Sequence, residues 1–199
     1  MNGFTCVSET TERTMEITIR RGRIEDANII AEAIAMAIGD SGTMVRYCGE
    51  NFIGVLEEIA RCDDSQYSYR NALVAEVDGQ AVGAVVAYDG AQLYELREKT
   101  LEVIHRHNPG FRIVDDETQA GEYYLDSIGI LPGYRGLGIG RALLLALKEV
   151  VAKGNHGCIG LLVDYDNELA ERLYESVGFR RVGTKLFIGH DMWHMQCIC

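Results

Sequence analysis

Basic residues are scarce in this chain: nineteen Lys and Arg stand against thirty Asp and Glu, for a net charge of −11. Nucleic-acid binders carry basic patches, so this balance argues against that class of partner. An acidic surface either steers a cationic amine toward the protein or only keeps it soluble. Long apolar runs are missing as well, and no uninterrupted stretch approaches the roughly 20 residues of a membrane span. Residues 1–14 lack the basic start and apolar middle of a signal peptide, so a cytoplasmic location is expected. Without a secretion signal, the six cysteines (Cys6, Cys48, Cys62, Cys158, Cys197 and Cys199) read as reduced thiols rather than a disulfide framework. Cys197-x-Cys199 has no second C-x-x-C, and His105, His107, His190 and His194 show no ligand spacing, so no metal is expected. Repeats, linkers and low-complexity tracts are absent too.

What is present suits one globular domain. The chain has 199 residues, 47% hydrophobic and 25% charged, enough to bury a full core. Met15 opens M-E-I-T-I-R-R, the expected start of the first strand, so residues 1–14 are expected to form an N-terminal extension and 15–199 the domain. A helix from about Glu25 follows, with Ile29, Ile30, Ala33, Ile34, Ala37 and Ile38 on one face, broken by Gly39-Asp40-Ser41-Gly42. Asn51 to Arg61 reads as a second helix. Strands are expected at Ala72 to Val77 and Ala81 to Tyr88, joined by the hairpin signal Asp78-Gly79. Residues 89–122 form an extended connection. Its stripe of Leu93, Leu96, Leu101 and Ile104 predicts an amphipathic helix closed by Asn108-Pro109-Gly110. Later strands are expected at Cys158 to Val163, Arg180 to Phe187 and Trp193 to Ile198, with a helix over Asn167 to Val177 capped by Gly178.

Residues 123–141 carry the functional information. The apolar run Tyr123 to Ile130 is followed by Pro132-Gly133, then by glycines at 136, 138 and 140. Behind them Leu143, Leu144, Leu147, Val150 and Val151 fall at helical spacing. A strand, a glycine turn and a helix N-terminus make an anion site, because free amides and the positive end of the helix dipole point at the ligand. The segment is not a P-loop, which requires Lys-Ser or Lys-Thr after its glycines. A dinucleotide fingerprint would place Arg141 at its third glycine, and too few residues follow for a doubly wound sheet, although Asp164 stands near where a ribose-binding acid would lie.

Arg135, Gly138 and Gly140 satisfy R-x-x-G-x-G, which resembles the acyl-CoA signature of the GCN5-related N-acetyltransferases. Residues 161–179 resemble that family's following strand–helix unit, at Asn167, Ala170, Leu173, Tyr174, Glu175, Gly178 and Phe179. The resemblance runs over 123–187 and extends to 15–88, while 1–14 and about 89–122 match nothing. It implies a single mixed, mostly antiparallel α/β sheet with helices on both faces. It also implies an acetyl-CoA co-substrate and transfer of the acetyl group to a primary amine. Arg135, Gly136, Leu137, Gly138, Ile139, Gly140 and Arg141 would then cradle the pyrophosphate. Ile128 and Ile130 would hydrogen-bond the pantetheine arm as an added strand, with a free N–H near Ile130 for the oxyanion. Asn167 would border the donor, and Tyr174 would protonate the departing thiolate. By a period of two, Glu122, Tyr124 and Asp126 share one strand face, and Asp126 lies nearest the expected thioester as general base. A covalent route through Cys158 is disfavoured, since a thiol opening an apolar strand is inert. The family usually crosses residues 89–122 by a short turn. The insertion is therefore expected to be either a substrate lid or dimer contact, or a cover over one flank of the sheet. The alternative to an enzyme is a non-catalytic acyl-CoA-binding regulatory module on the same fold.

Overall fold

The protein is described by a computed structural model covering residues 15–113, 115–154 and 156–199. The expected extension over residues 1–14 lies outside the described residues. Seven strands form one sheet: β1 (Ile17–Arg21), β2 (Ala72–Val77), β3 (Gln80–Asp89), β4 (Tyr123–Ile130), β5 (Cys158–Asp164), β6 (Arg180–Phe187) and β7 (His190–Ile198). They lie in the order β1-β2-β3-β4-β5-β7-β6. Every neighbouring pair is antiparallel except β4 and β5. The β2–β3 turn is the one the sequence signals. Asp78 and Gly79 both take positive φ, as a tight hairpin turn requires.

Helices cover both faces: α1 (Ala27–Ile38), α2 (Ser41–Cys48), α3 (Phe52–Ala60), α4 (Leu93–His107), α5 (Ile139–Lys153) and α6 (Glu168–Ser176). Ile30, Ile34, Met44, Leu56 and Ile59 pack on Val74, Ala84 and Val86 on one face. On the other, Leu143, Leu144, Leu147 and Val177 meet Val85, Leu125, Leu161 and Phe179. Helix α2 corrects the sequence reading, which took Gly39-Asp40-Ser41-Gly42 only as a break. Gly39 (φ 73°) does end α1, but Asp40 then caps α2 by accepting from the Gly42 and Thr43 amides. Strand β7 also starts at His190 rather than Trp193, because Ile188 and Gly189 close a hairpin directly onto β6.

Two features of β4 create the site. Val86 pairs with Ser127 and Ala87 with Leu125, so Asp126 is an extra residue, a β-bulge that re-aims the strand. On its other side β4 pairs with β5 only at Tyr123–Ile159 and Tyr124–Gly160. From Leu125 onward the two strands part, and the sheet opens a cleft between them. Among the described residues, no helix is long and apolar enough to cross a membrane.

Candidate active site

The open edge of β4 presents backbone to the cleft. Leu131 N–H donates to Val82 O at 2.9 Å, turned toward β3. Strand alternation then turns the amides and carbonyls of Ile128 and Ile130 the other way, to the unpaired edge. Their side chains lie against the core on the α5 side.

Directly beyond, Gly136 (φ 78°) and Gly138 (φ 80°) adopt the left-handed conformation that glycine alone takes cheaply. A Cβ on either would meet no protein atom within 4 Å, so this backbone is bare on its outer side. Helix α5 begins at Ile139 with no side-chain cap. Ala142 N–H is the first turn amide to find a partner, Gly138 O. Among the described residues, the amides of Gly136 through Arg141 therefore remain free for an anion. Gly140 has a separate task, because its missing side chain admits Leu173 of α6 and the end of Ile130. The Arg135 guanidinium folds back, donating to Ile130 O at 3.0 Å and touching Met36. It fixes the turn. The Asn167 side chain caps α6 by accepting from Ala170 N–H at 3.2 Å.

Tyr174 sits in the core. Only 7% exposed, its ring packs at 5.8 Å from Phe179 within the core. Its hydroxyl bonds no described residue, yet the only sealed and unpartnered side-chain nitrogen or oxygen among them is Arg97 Nε. The hydroxyl thus opens on space outside the packed core and caps no backbone group. Burial pushes the phenol up to about 12, so it keeps its proton at any working pH.

On the opposite side of the cleft, Glu122, Tyr124 and Asp126, expected to share one strand face, separate clearly. Glu122 is buried with both oxygens engaged, accepting from Thr118, His194 and Gln196. Although burial opposes ionisation, those hydrogen bonds hold its carboxyl below the usual range. Tyr124 is buried under α4, with its phenol pushed far up by burial. Asp126 differs. Partly buried, it is pushed up to about 7, first by desolvation and then by the Glu117 carboxylate. Ser127 Oγ donates to it at 2.7 Å and the Tyr88 hydroxyl approaches at 3.5 Å. A carboxyl poised near neutrality can accept a proton from an amine and release it again.

Glu117 belongs to the extended connection, and sequence reasoning missed it. It accepts from Gln66 Nε2 and from the Tyr88 hydroxyl at 3.0 Å, and pairs with Arg97 of α4. These partners lie 20 to 51 residues away, so no local spacing could reveal them. Asp115 accepts from Ile188 N–H at 2.9 Å, tying the same segment to the β6–β7 turn. Meanwhile α4 lays Leu93 and Leu96 over Tyr88, Tyr124 and Leu162. The connection therefore covers a flank of the sheet, and its end also reaches the groups behind Asp126. The Cys158 thiol is pushed up by burial, consistent with an inert role.

A sheet split beside β4, with an uncapped glycine turn at its mouth, is the architecture of an acetyltransferase fold. Residues 50–179 match the Acetyltransferase (GNAT) family, and the chain belongs to it. It is 45% identical over 64 residues to the N-alpha-acetyltransferase RimI of Mycobacterium tuberculosis, covering 32% of this chain and 39% of that protein. With the mycothiol acetyltransferase of Frankia alni it shares 35% over 126 residues, 62% of this chain and 32% of the relative. The chain thus spans well under half the length of these curated relatives. An acetyltransferase crystal structure superposes with a TM-score of 0.77 at 33% identity, covering 91% of this chain and 98% of the other.

The glycine turn yields a direct test. Gly138→Val would place a β-branched side chain in a left-handed position, on the bare side of the backbone. CoA affinity measured by calorimetry is expected to fall more than about tenfold, about 1.4 kcal/mol or more. An unchanged Kd in a folded variant would remove the cradle.

Proposed function

We propose that the protein is an N-acyltransferase that moves an acetyl group from acetyl-CoA to a primary amine by direct attack. The observation that carries this reading is the unpaired edge of β4 running into the uncapped turn at Gly136–Arg141. An extended chain bearing amides and a pyrophosphate fits that sequence of open edge and free amides. Arg135, Gly136, Leu137, Gly138, Ile139, Gly140 and Arg141 hold the pyrophosphate, Ile128 and Ile130 pair with the pantetheine amides, and Asn167 borders the same cleft. The bound thioester supplies the activated acetyl group. Asp126 accepts a proton from the attacking nitrogen, an amide of the β4 edge donates to the developing oxyanion, and Tyr174 donates to the departing sulfur. Residues 15–199 act as one catalytic domain.

The test is release of free thiol from acetyl-CoA with and without a panel of alkylamines, amino acids and short peptides. Amine-dependent release is expected. Tight CoA binding with no release for any amine would favour the regulatory module instead.

A further inference from the structure

We propose that His194, held by Glu122, is a second base of the site, taking the first proton from an incoming alkylammonium group. The inference rests on the transferase reading above. Its geometry starts from register. Tyr124 of β4 pairs with Gly160 of β5, and Leu162 of β5 pairs with His194 of β7. Two residues beyond the Tyr124–Gly160 pair, Asp126 and Leu162 flank the point where the strands part. His194 stands on the far side of β5 from Asp126. Both side chains open on the same face, because Leu162 packs with Tyr88 and Tyr124 while Asp126 approaches the Tyr88 hydroxyl.

The surroundings of His194 are built to orient it. Its Nε2 lies 2.8 Å from Glu122 Oε2, which also accepts from Gln196 at 2.9 Å, while Thr118 satisfies the other oxygen at 2.8 Å. Gly160 makes room for this carboxylate, since a Cβ there would collide with it. A carboxylate facing Nε2 fixes a proton on that nitrogen and leaves the lone pair on Nδ1. Nδ1 has no partner among the described residues and is not sealed. The two side chains differ in access: Glu122 is 3% exposed and His194 21%. Glu122 is therefore a positioning residue, and His194 is the member that meets solvent and substrate. Besides Glu122, the charged and titratable groups on the strands around His194 are Tyr123, Tyr124 and Asp126 of β4, Cys158 and Asp164 of β5, Arg180, Arg181 and Lys185 of β6, and His190, Asp191 and Cys197 of β7 itself.

The chemistry requires such a group. An aliphatic amine with a pKa near 10 arrives as ammonium at pH 7, so two N–H bonds must break in each turnover. The first proton passes from ammonium to His194 Nδ1, and the imidazolium is balanced by Glu122 until water removes it. The free amine then forms the C–N bond, and its nitrogen gives the second proton to Asp126. The C–S bond breaks, the sulfur takes the Tyr174 proton, and Asp126 restores that proton through water. One proton is released overall, by way of His194.

His194→Gln keeps an N–H for Glu122 but removes the base, and Glu122→Gln keeps the imidazole but loosens its orientation. With acetyl-CoA and an amine that the wild type acetylates, kcat/KM is measured from pH 6.5 to 9.5. His194→Gln is expected to be about 10–100-fold slower at pH 7, with the deficit shrinking as pH approaches the amine's own pKa. Glu122→Gln should show a smaller deficit of the same shape. A structural role would give a loss independent of pH, and that result or full activity would overturn the proposal. A wild type inactive on every amine would instead sink the transferase reading and this role with it. A readout without turnover is the 15N spectrum of the histidine-labelled full chain, where His194 should be the Nε2–H tautomer. An Nδ1–H tautomer would contradict the assignment whatever the kinetics.

Discussion

Tyr174→Phe is expected to lower kcat by about a hundredfold or more while leaving folding and CoA affinity nearly unchanged. The ring keeps its contact with Phe179 and its place in the core, and the lost atom is one that hydrogen-bonds no described residue. Burial holds the phenol at about 12, which makes it a reservoir of one proton rather than a group that titrates during assay. A thiolate leaving without a donor carries full negative charge, and the barrier rises accordingly. Because this interaction matters only as the C–S bond breaks, the loss belongs in kcat and not in the KM for acetyl-CoA. Steady-state kinetics on both proteins between pH 6.5 and 9.5 make the comparison. If the variant retained most of its kcat, the acid would have to be water or another side chain.

The parts of this site that are legible in the sequence are those fixed by local rules. Gly136 and Gly138 need left-handed backbone, and the leucines behind them repeat at helical spacing, so the turn and α5 can be read from about twenty residues. Strand β2 matches its expected bounds because an apolar run broken only by Glu76 ends at the turn signal Asp78-Gly79. Helix α2 escapes because one tetrapeptide both ends α1 and caps the next helix, and the glycines mask the cap at Asp40. The bulge at Asp126 has no signature of its own. Its effect is to keep Asp126 on the face of Tyr124 while turning Ile128 and Ile130 toward α5. The Glu117 network and the Glu122–His194 pair are contacts between distant segments, and the pairing of β5 with β7 rather than β6 decides where His194 falls.

Asp126→Asn is expected to separate activity from stability. In the wild type, kcat/KM should rise with pH through about 7, as the Asp126 carboxyl loses its proton and becomes a base. Asparagine has nearly the same shape but cannot accept that proton, so the rate should fall by about 10²–10⁴ and this limb of the profile should vanish. Stability should move the other way. The carboxyl is raised from 3.8 to about 7, so the folded state holds a proton that the unfolded chain releases. The sign follows from linkage: this contribution favours folding below the unfolded value and is lost as pH rises through the folded one. Above pH 7 the wild type thus keeps a charge in a poorly solvated site beside Glu117, and the neutral amide of the variant relieves it. The full shift corresponds to at most about 4 kcal/mol, and partial exposure reduces the gain to the order of 1–2 kcal/mol. Urea melts at pH 4.5 and pH 8.5 would read this as an advantage of the variant over wild type that is small at the lower pH and grows toward the higher one. Equal stability at pH 8.5 together with normal turnover would mean that Asp126 is neither strained nor the base.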